Sequence, residues 1–163
     1  MNITLRKLLL KDKTNLLKLF LNENTLKDTG VNISHEKINL NFVNEWLKER
    51  IEQYNLEKPD FLIYAISDNS KKIIGTIGIG DINYKDKTAE IGYWVSEENA
   101  GKGHCTNAIK IFMKTIPKLL NLNRIIAEVS QENIASHKVL EKNGFKTFKK
   151  SKNKLLLEKE TKI

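Results

Sequence analysis

The sequence predicts a single α/β domain, built on a mixed sheet and spanning residues 1–163. Three observations lead there. Apolar residues recur at helical steps early in the chain, give way to runs rich in β-branched and aromatic residues, then alternate between the two patterns to the end. No repeat, low-complexity stretch or linker interrupts them. The length is that of one domain, enough to bury about two-thirds of the unfolded surface.

Asn2–Leu8 alternates like a short strand, and Leu16, Leu17, Phe20 and Leu21 fall at helical spacing. A polar stretch, NENTLKDTGVN, separates them from a second helix that Ser34 is placed to cap. Ile38, Phe42, Val43, Trp46, Leu47 and Ile51 give that helix its apolar side, and EKPD with Pro59 ends it. The period then changes. Phe61–Ser67, Lys72–Tyr84 and Thr88–Ser96, joined by the turns DNSK and KDK, read as three antiparallel strands in series. A helix over His104–Leu120 follows, with Ile109, Phe112, Met113 and Ile116 on one face and Pro117 kinking or shortening its end. Arg124–Ser130 is a strand, NIASHKVLEKNGF a short helix closed by Gly144, and LLLEKE the last strand. The order is β-α-α-β-β-β-α-β-α-β.

With 40% hydrophobic and 29% charged residues the composition is that of a globular protein. The longest apolar runs fall far short of the roughly 20 residues that cross a bilayer. The lysine-interrupted N-terminus offers no secretory cleavage site. One cysteine, Cys105, leaves no internal disulfide framework, so a cytoplasmic setting is expected. The net charge of +8 favours acidic partners at long range, but the lysines are spread along the whole chain. The only basic run, KKSKNK (Lys149–Lys154), carries no interleaved aromatic and reads as a solvated turn. Neither a specific nucleic-acid partner nor a membrane is expected.

The informative stretch is Gly101-Lys102-Gly103, between an apolar strand and a helix. Amides at a helix N-terminus have no intrahelical partner, and glycine lets an anion approach them. The alternative is a plain strand-to-helix turn. A dinucleotide fingerprint needs G-x-G-x-x-G after the first strand of a βαβ unit, whereas these glycines come late and the third is missing. GTIGIG (Gly75–Gly80) has no helix behind it; its glycines suit strand positions where another backbone comes close. A P-loop needs G-x-x-x-x-G-K-[ST], and GKGHCT puts the lysine between the glycines. His35, His104 and His137 lack the mutual spacing of metal ligands, and no metal is expected.

EIGYWV, GKGHCTNA and N-x-x-S-x-x-V-L-E-K-x-G-F, in this order and spacing, resemble the GNAT N-acetyltransferase superfamily, and most of all its Rim-type ribosomal-protein N-acetyltransferases. The resemblance covers roughly Leu5–Phe145. It implies a GNAT-type fold, a mixed and mostly antiparallel sheet with helices on both faces, and acetyl-CoA as co-substrate. Gly101, Lys102, Gly103, His104, Cys105 and Thr106 would form the pyrophosphate loop, with Ala100 where the family has Arg or Gln. Trp94, Val95 and Ser96 would bind the pantetheine arm through their backbone, between a fourth and fifth strand that part. Asn133 matches the asparagine that hydrogen-bonds this arm, although a helix N-cap suits it too; Ser136 lies one turn on.

Acetyl transfer needs a neutral amine, a polarised carbonyl and a tolerable leaving thiolate, whose pKa of about 8.5 makes a strong acid helpful but not obligatory. The tyrosine acid of many GNAT enzymes falls at Leu140 here. The Rim-type pattern makes Ser136 the candidate acid, its other role being a pantetheine contact. Glu90 matches a fourth-strand acid of several members and is the candidate base, the alternative being a solvated strand-end carboxylate; Glu128 is second. Cys105 fills a small-residue slot of the loop, and Trp46, Tyr93 and Trp94 read as core, with Trp46 or Tyr93 as alternatives for the acceptor wall. At pH 7 an α-amine of pKa about 8 is a tenth neutral, and a lysine amine of about 10.4 under a thousandth, so a poorly defined base points to N-terminal amines. The 18 residues after Phe145 are fewer than a Rim-type tail, implying an open groove or a wall from a second subunit. The expectation is direct attack by a protein N-terminal α-amine in a ternary complex, in a monomer or homodimer. A small amine (polyamine or aminoglycoside) and a catalytically inactive acyl-CoA-binding module are the alternatives.

Overall fold

The computed structural model describes residues 2–28 and 34–161. Strands β1 (Thr4–Lys7), β2 (Leu62–Ser67), β3 (Ile73–Asn83), β4 (Thr88–Val95), β5 (Arg124–Ser130), β6 (Lys146–Lys150) and β7 (Lys154–Glu160) form one sheet in the order β1-β2-β3-β4-β5-β7-β6. Every neighbouring pair is antiparallel except β4 and β5, which run parallel.

Side chains alternate across a strand, so one sheet can fill two cores. On one face α1 (Lys13–Phe20) and α3 (Leu40–Gln53) bury Leu16, Phe20, Val43, Trp46 and Leu47 against Ala65, Ile73 and Trp94. On the other, α4 (His104–Leu119) and α5 (Ile134–Lys142) bury Ile109, Phe112, Ile116 and Leu140 against Ile77, Ile79, Ile91 and Ile125. Each such side chain contributes about 1.5–3 kcal/mol when fully buried. Helices therefore cover both faces of a mixed, mostly antiparallel sheet. Two of the three glycines of GTIGIG mark close approach of another backbone, whereas a Cβ on Gly80 would make only an ordinary contact, 3.8 Å from the Phe61 Cβ. A Cβ on Gly75 would lie 2.1 Å from the Trp94 carbonyl oxygen, and one on Gly78 would lie 2.5 Å from that of Leu62.

Local details differ from the sequence reading. Asn39, not Ser34, caps α3: its side chain accepts the Phe42 N–H at 3.0 Å, while Ser34 precedes a short 3-10 turn over His35–Lys37. That helix ends at Gln53, well before Pro59. The polar stretch NENTLKDTGVN holds a short helix, α2 (Glu23–Asp28), introduced by the Asn22 side chain accepting the Thr25 N–H; residues 29–33 of the chain lie outside the described residues. α4 runs two residues past Pro117 before it stops. KKSKNK is only partly a turn: Lys149 and Lys150 belong to β6 and Lys154 to β7, so the chain closes on a hairpin and not on a lone strand.

Candidate active site

The parallel pair is where the sheet opens. β4 and β5 are in register over Thr88–Arg124, Ala89–Ile125 and Glu90–Ile126, and pair no further. Beyond Glu90, β4 stays paired to β3 as far as Val95, and β5 to β7 as far as Ser130. A cleft of about 1110 Å³ occupies the gap and runs on to the start of α4 and one side of α5. Backbone amides and carbonyls on its strand walls are thus free to bond an extended, amide-bearing arm.

At the cleft's mouth the glycine turn takes the shape its sequence suggests. Gly101 (φ 71°) and Gly103 (φ 79°) are left-handed, a conformation that costs other residues about 1–2 kcal/mol. A Cβ at either position would meet nothing within 4 Å, so the turn presents bare backbone to open space. The first intrahelical bond of α4 runs from the Asn107 N–H to the Gly103 carbonyl, so the amides of His104 and Thr106 stand ahead of the ladder at the positive end of the helix. This cradle fits a pyrophosphate. α5 is tied to the same turn, because Asn143 Nδ2 donates to the Thr106 carbonyl at 3.3 Å and to that of Val139 at 2.9 Å. The end of α5 is fixed in turn by Gly144 (φ 81°): the Gly144 and Phe145 N–H groups return to the Glu141 and Leu140 carbonyls.

The structure gathers most of the expected residues around this space. Glu90, Trp94, Val95, Gly101, Gly103, His104, Cys105, Thr106, Asn133 and Ser136 all line the cleft. Lys102 is exposed beside it and Ser96 lies behind its wall. The Ser96 N–H donates to the Ile74 carbonyl at 2.7 Å and its hydroxyl accepts from Asn99, so its polar groups hold the end of β4 in place. Asn133 does cap α5, accepting the Ser136 N–H at 3.0 Å through Oδ1, which leaves its Nδ2 to donate elsewhere. His104 is buried with Nδ1 unpartnered; burial first, then Lys102, lowers its pKa and favours the neutral ring.

Glu90 stands half-buried at the point of divergence. Burial, then the neighbouring carboxylates of Glu128 and Asp81, hold its pKa above the ordinary value, and Lys154 partly offsets them. Glu128 lines the cleft opposite and is ion-paired with Lys154. Two aromatic assignments separate here. Trp46 packs edge-on against Phe20 with Arg50 4.0 Å above its ring, and does not line the cleft. Tyr93 does line it, and its hydroxyl crosses to α5 to donate to the Ser136 carbonyl at 3.2 Å. The sequence gives no sign of that reach, because Tyr93 shares a strand face with Ile91 and Val95 and reads as core. Asn143 carries no sequence signal, being an ordinary residue before a C-terminal glycine.

A sheet that opens between two parallel strands, beside a glycine turn at a helix N-terminus, has a shape that suits a long arm carrying phosphate. The acetyltransferase (GNAT) domain model matches residues 2–146, and the chain belongs to that family, whose members use acetyl-CoA as co-substrate. A probable N-acetyltransferase, YjcK, of Bacillus subtilis (strain 168) is 36% identical over 107 residues, 62% of this chain and 58% of the relative. The ribosomal-protein-serine acetyltransferase of Escherichia coli (strain K12) is 32% identical over 74 residues, 45% and 41% of the two chains. The spermidine N(1)-acetyltransferase of Vibrio cholerae is 29% identical over 82 residues, 50% and 47%. The chain thus spans under two thirds of the length of each of these relatives. In fold it is similar to the ribosomal-protein-S5-alanine acetyltransferase of Vibrio fischeri, with a TM-score of 0.86 at 23% identity over 99% of this chain and 94% of that one.

Proposed function

We propose that this protein transfers an acetyl group from acetyl-CoA to a protein N-terminal α-amine, by direct attack in a ternary complex. Acetyl-CoA supplies the acyl group as a thioester. The Gly101–Thr106 turn holds the pyrophosphate on its amides. The open edge of β4, with Asn133 opposite, takes the arm through the sheet, and Ser136 contacts it from α5. Glu90 accepts the proton of the attacking amine, directly or through a water.

The single observation that carries this reading is the position of Glu90, a half-buried carboxylate lining the cleft where β4 and β5 stop pairing, with burial holding its pKa above the ordinary value. A raised carboxylate is a stronger base, and an α-amine needs only modest help to be neutral at pH 7. One specific observation favours a second reading. Asp81, Glu90 and Glu128 gather negative charge at this end of the cleft in a chain of net charge +8, which suits a small polyamine. Mass spectrometry after incubation with acetyl-CoA separates the two, offering equal amounts of a peptide with a free α-amine, an α-blocked lysine peptide, and spermidine. Acetylation confined to the free α-amine supports the proposal. Acetylated spermidine alone moves the assignment to small amines, and no product from any acceptor leaves an acyl-CoA-binding module.

A further inference from the structure

We propose that the Tyr93 hydroxyl is the hydrogen-bond donor to the departing thiolate, and hence a catalytic residue of the reaction above; the inference rests on that reading. Tyr93 stands on β4 three residues past Glu90, within the stretch that has parted from β5. From there its hydroxyl spans the cleft to the first turn of α5, where the Ser136 carbonyl receives it at 3.2 Å. That bond is long for an O–H···O contact, whose usual range is about 2.5–3.0 Å. It also adds to a carbonyl that the helical ladder of α5 already uses. A hydroxyl so weakly engaged turns readily to a stronger acceptor, and an anionic sulfur in the cleft is one.

Several of the other cleft groups serve this role less well. Glu90 and Glu128 are acids that repel a second anion. Leu140, fully buried beside them, has no donor. Thr106 belongs to the anion turn, and Ser130 is exposed at the far end of β5. Burial keeps the Tyr93 hydroxyl protonated well above the ordinary tyrosine range, so it is always a donor. Since a thiol titrates near about 8.5, the proton stays on the tyrosine and the hydroxyl stabilises the thiolate without surrendering it.

The step balances. The new C–N bond forms as the C–S bond breaks, and the electron pair of the latter stays on sulfur. The surplus amine proton leaves through Glu90 to solvent, the thiolate takes a proton from solvent on release, and Tyr93 keeps its own.

The test compares wild type with Tyr93→Phe. Acetyl-CoA affinity by calorimetry is expected to change less than about twofold while kcat falls about 10- to 100-fold, the size of one hydrogen bond to a charged group. A readout independent of turnover is the titration of bound CoA, followed by thiolate absorbance as the difference between complexes with CoA and desulfo-CoA, which cancels Cys105. The bound thiol should titrate about one to two pH units lower in wild type than in the variant. Equal kcat and equal thiol titration overturn the proposal. Should the variant melt early, the wild-type complex decides alone: a bound thiol titrating no lower than free CoA overturns it too. Absence of any CoA binding to folded wild type would sink the acetyltransferase reading itself, a distinct result.

Discussion

β4 and β5 begin as partners and end as the two walls of a cleft. Over Thr88–Glu90 they are zipped to Arg124–Ile126, with Ala89 and Ile125 buried beneath. Beyond that, over Ile91–Val95 and Ala127–Ser130, each keeps only its outer neighbour, β3 or β7. An unsatisfied buried amide or carbonyl costs about 1–3 kcal/mol, so a sheet can stay open only where water or a ligand completes its edge. The zipped half is therefore structure and the open half is the proposed binding surface, with Glu90 at the junction. The outer neighbours keep the open half rigid: Gly75 lets β3 sit hard against Trp94 and Val95, and Ser96 is bonded to Ile74.

That contrast can be broken at its open end with one substitution. Gly103→Glu places a side chain on a left-handed residue and a carboxylate at the positive end of α4, so acetyl-CoA affinity measured by calorimetry should fall about 100-fold or more. The melting temperature should fall by only a few degrees, the effect of the left-handed strain alone, because the added atoms enter open space. Glu90→Gln acts at the junction. It should lower kcat by about 100-fold and abolish the acidic limb of the kcat/KM profile, a limb expected above the ordinary glutamate value of 4.5. Its effect on stability has the opposite sign. Because folding raises the pKa of Glu90, its contribution is fully present below the unfolded value and is lost as pH rises through the folded one. At neutral pH the ionised group lowers stability, and the glutamine variant should melt slightly higher than wild type.

The grip behind the cleft is tested by Gly75→Ala. Its Cβ cannot coexist with the Trp94 carbonyl 2.1 Å away, so β4 must shift, at a cost of about 3 kcal/mol in denaturant unfolding. The smallest effect belongs to Lys154→Ala. It removes the cation that partly offsets Glu128 and Asp81 near Glu90, and should move the acidic limb of the pH–rate profile upward by a fraction of a unit.

How far the chain could be read from its letters follows the same division. Elements with an apolar period were legible: α3 and α4 from steps of three and four, β2 to β4 from their β-branched runs, the glycine turn from its place between strand and helix. β6 was not, because KTFKK is exposed along its whole length and shows no alternation of apolar with polar residues. α2 is only six residues long, and the Asn22 side chain opens it by accepting the Thr25 N–H. Glu90, Asn133 and Ser136 were found as candidates, but the hydroxyl of Tyr93 was not. Strand alternation assigns a side chain to a face and says nothing of what crosses that face three-dimensionally. Where β4 and β5 part is likewise a property of pairing; from the sequence it came only through family resemblance.

Amide hydrogen exchange with and without acetyl-CoA reads the two halves of β4 separately. Slowed exchange is expected over Gly92–Val95 and Gly101–Thr106 when acetyl-CoA is present, with Thr88–Glu90 unchanged because that segment is already zipped to β5. Tight binding with no added protection along the open half of β4 would contradict it, and would place the co-substrate somewhere other than the gap between the strands.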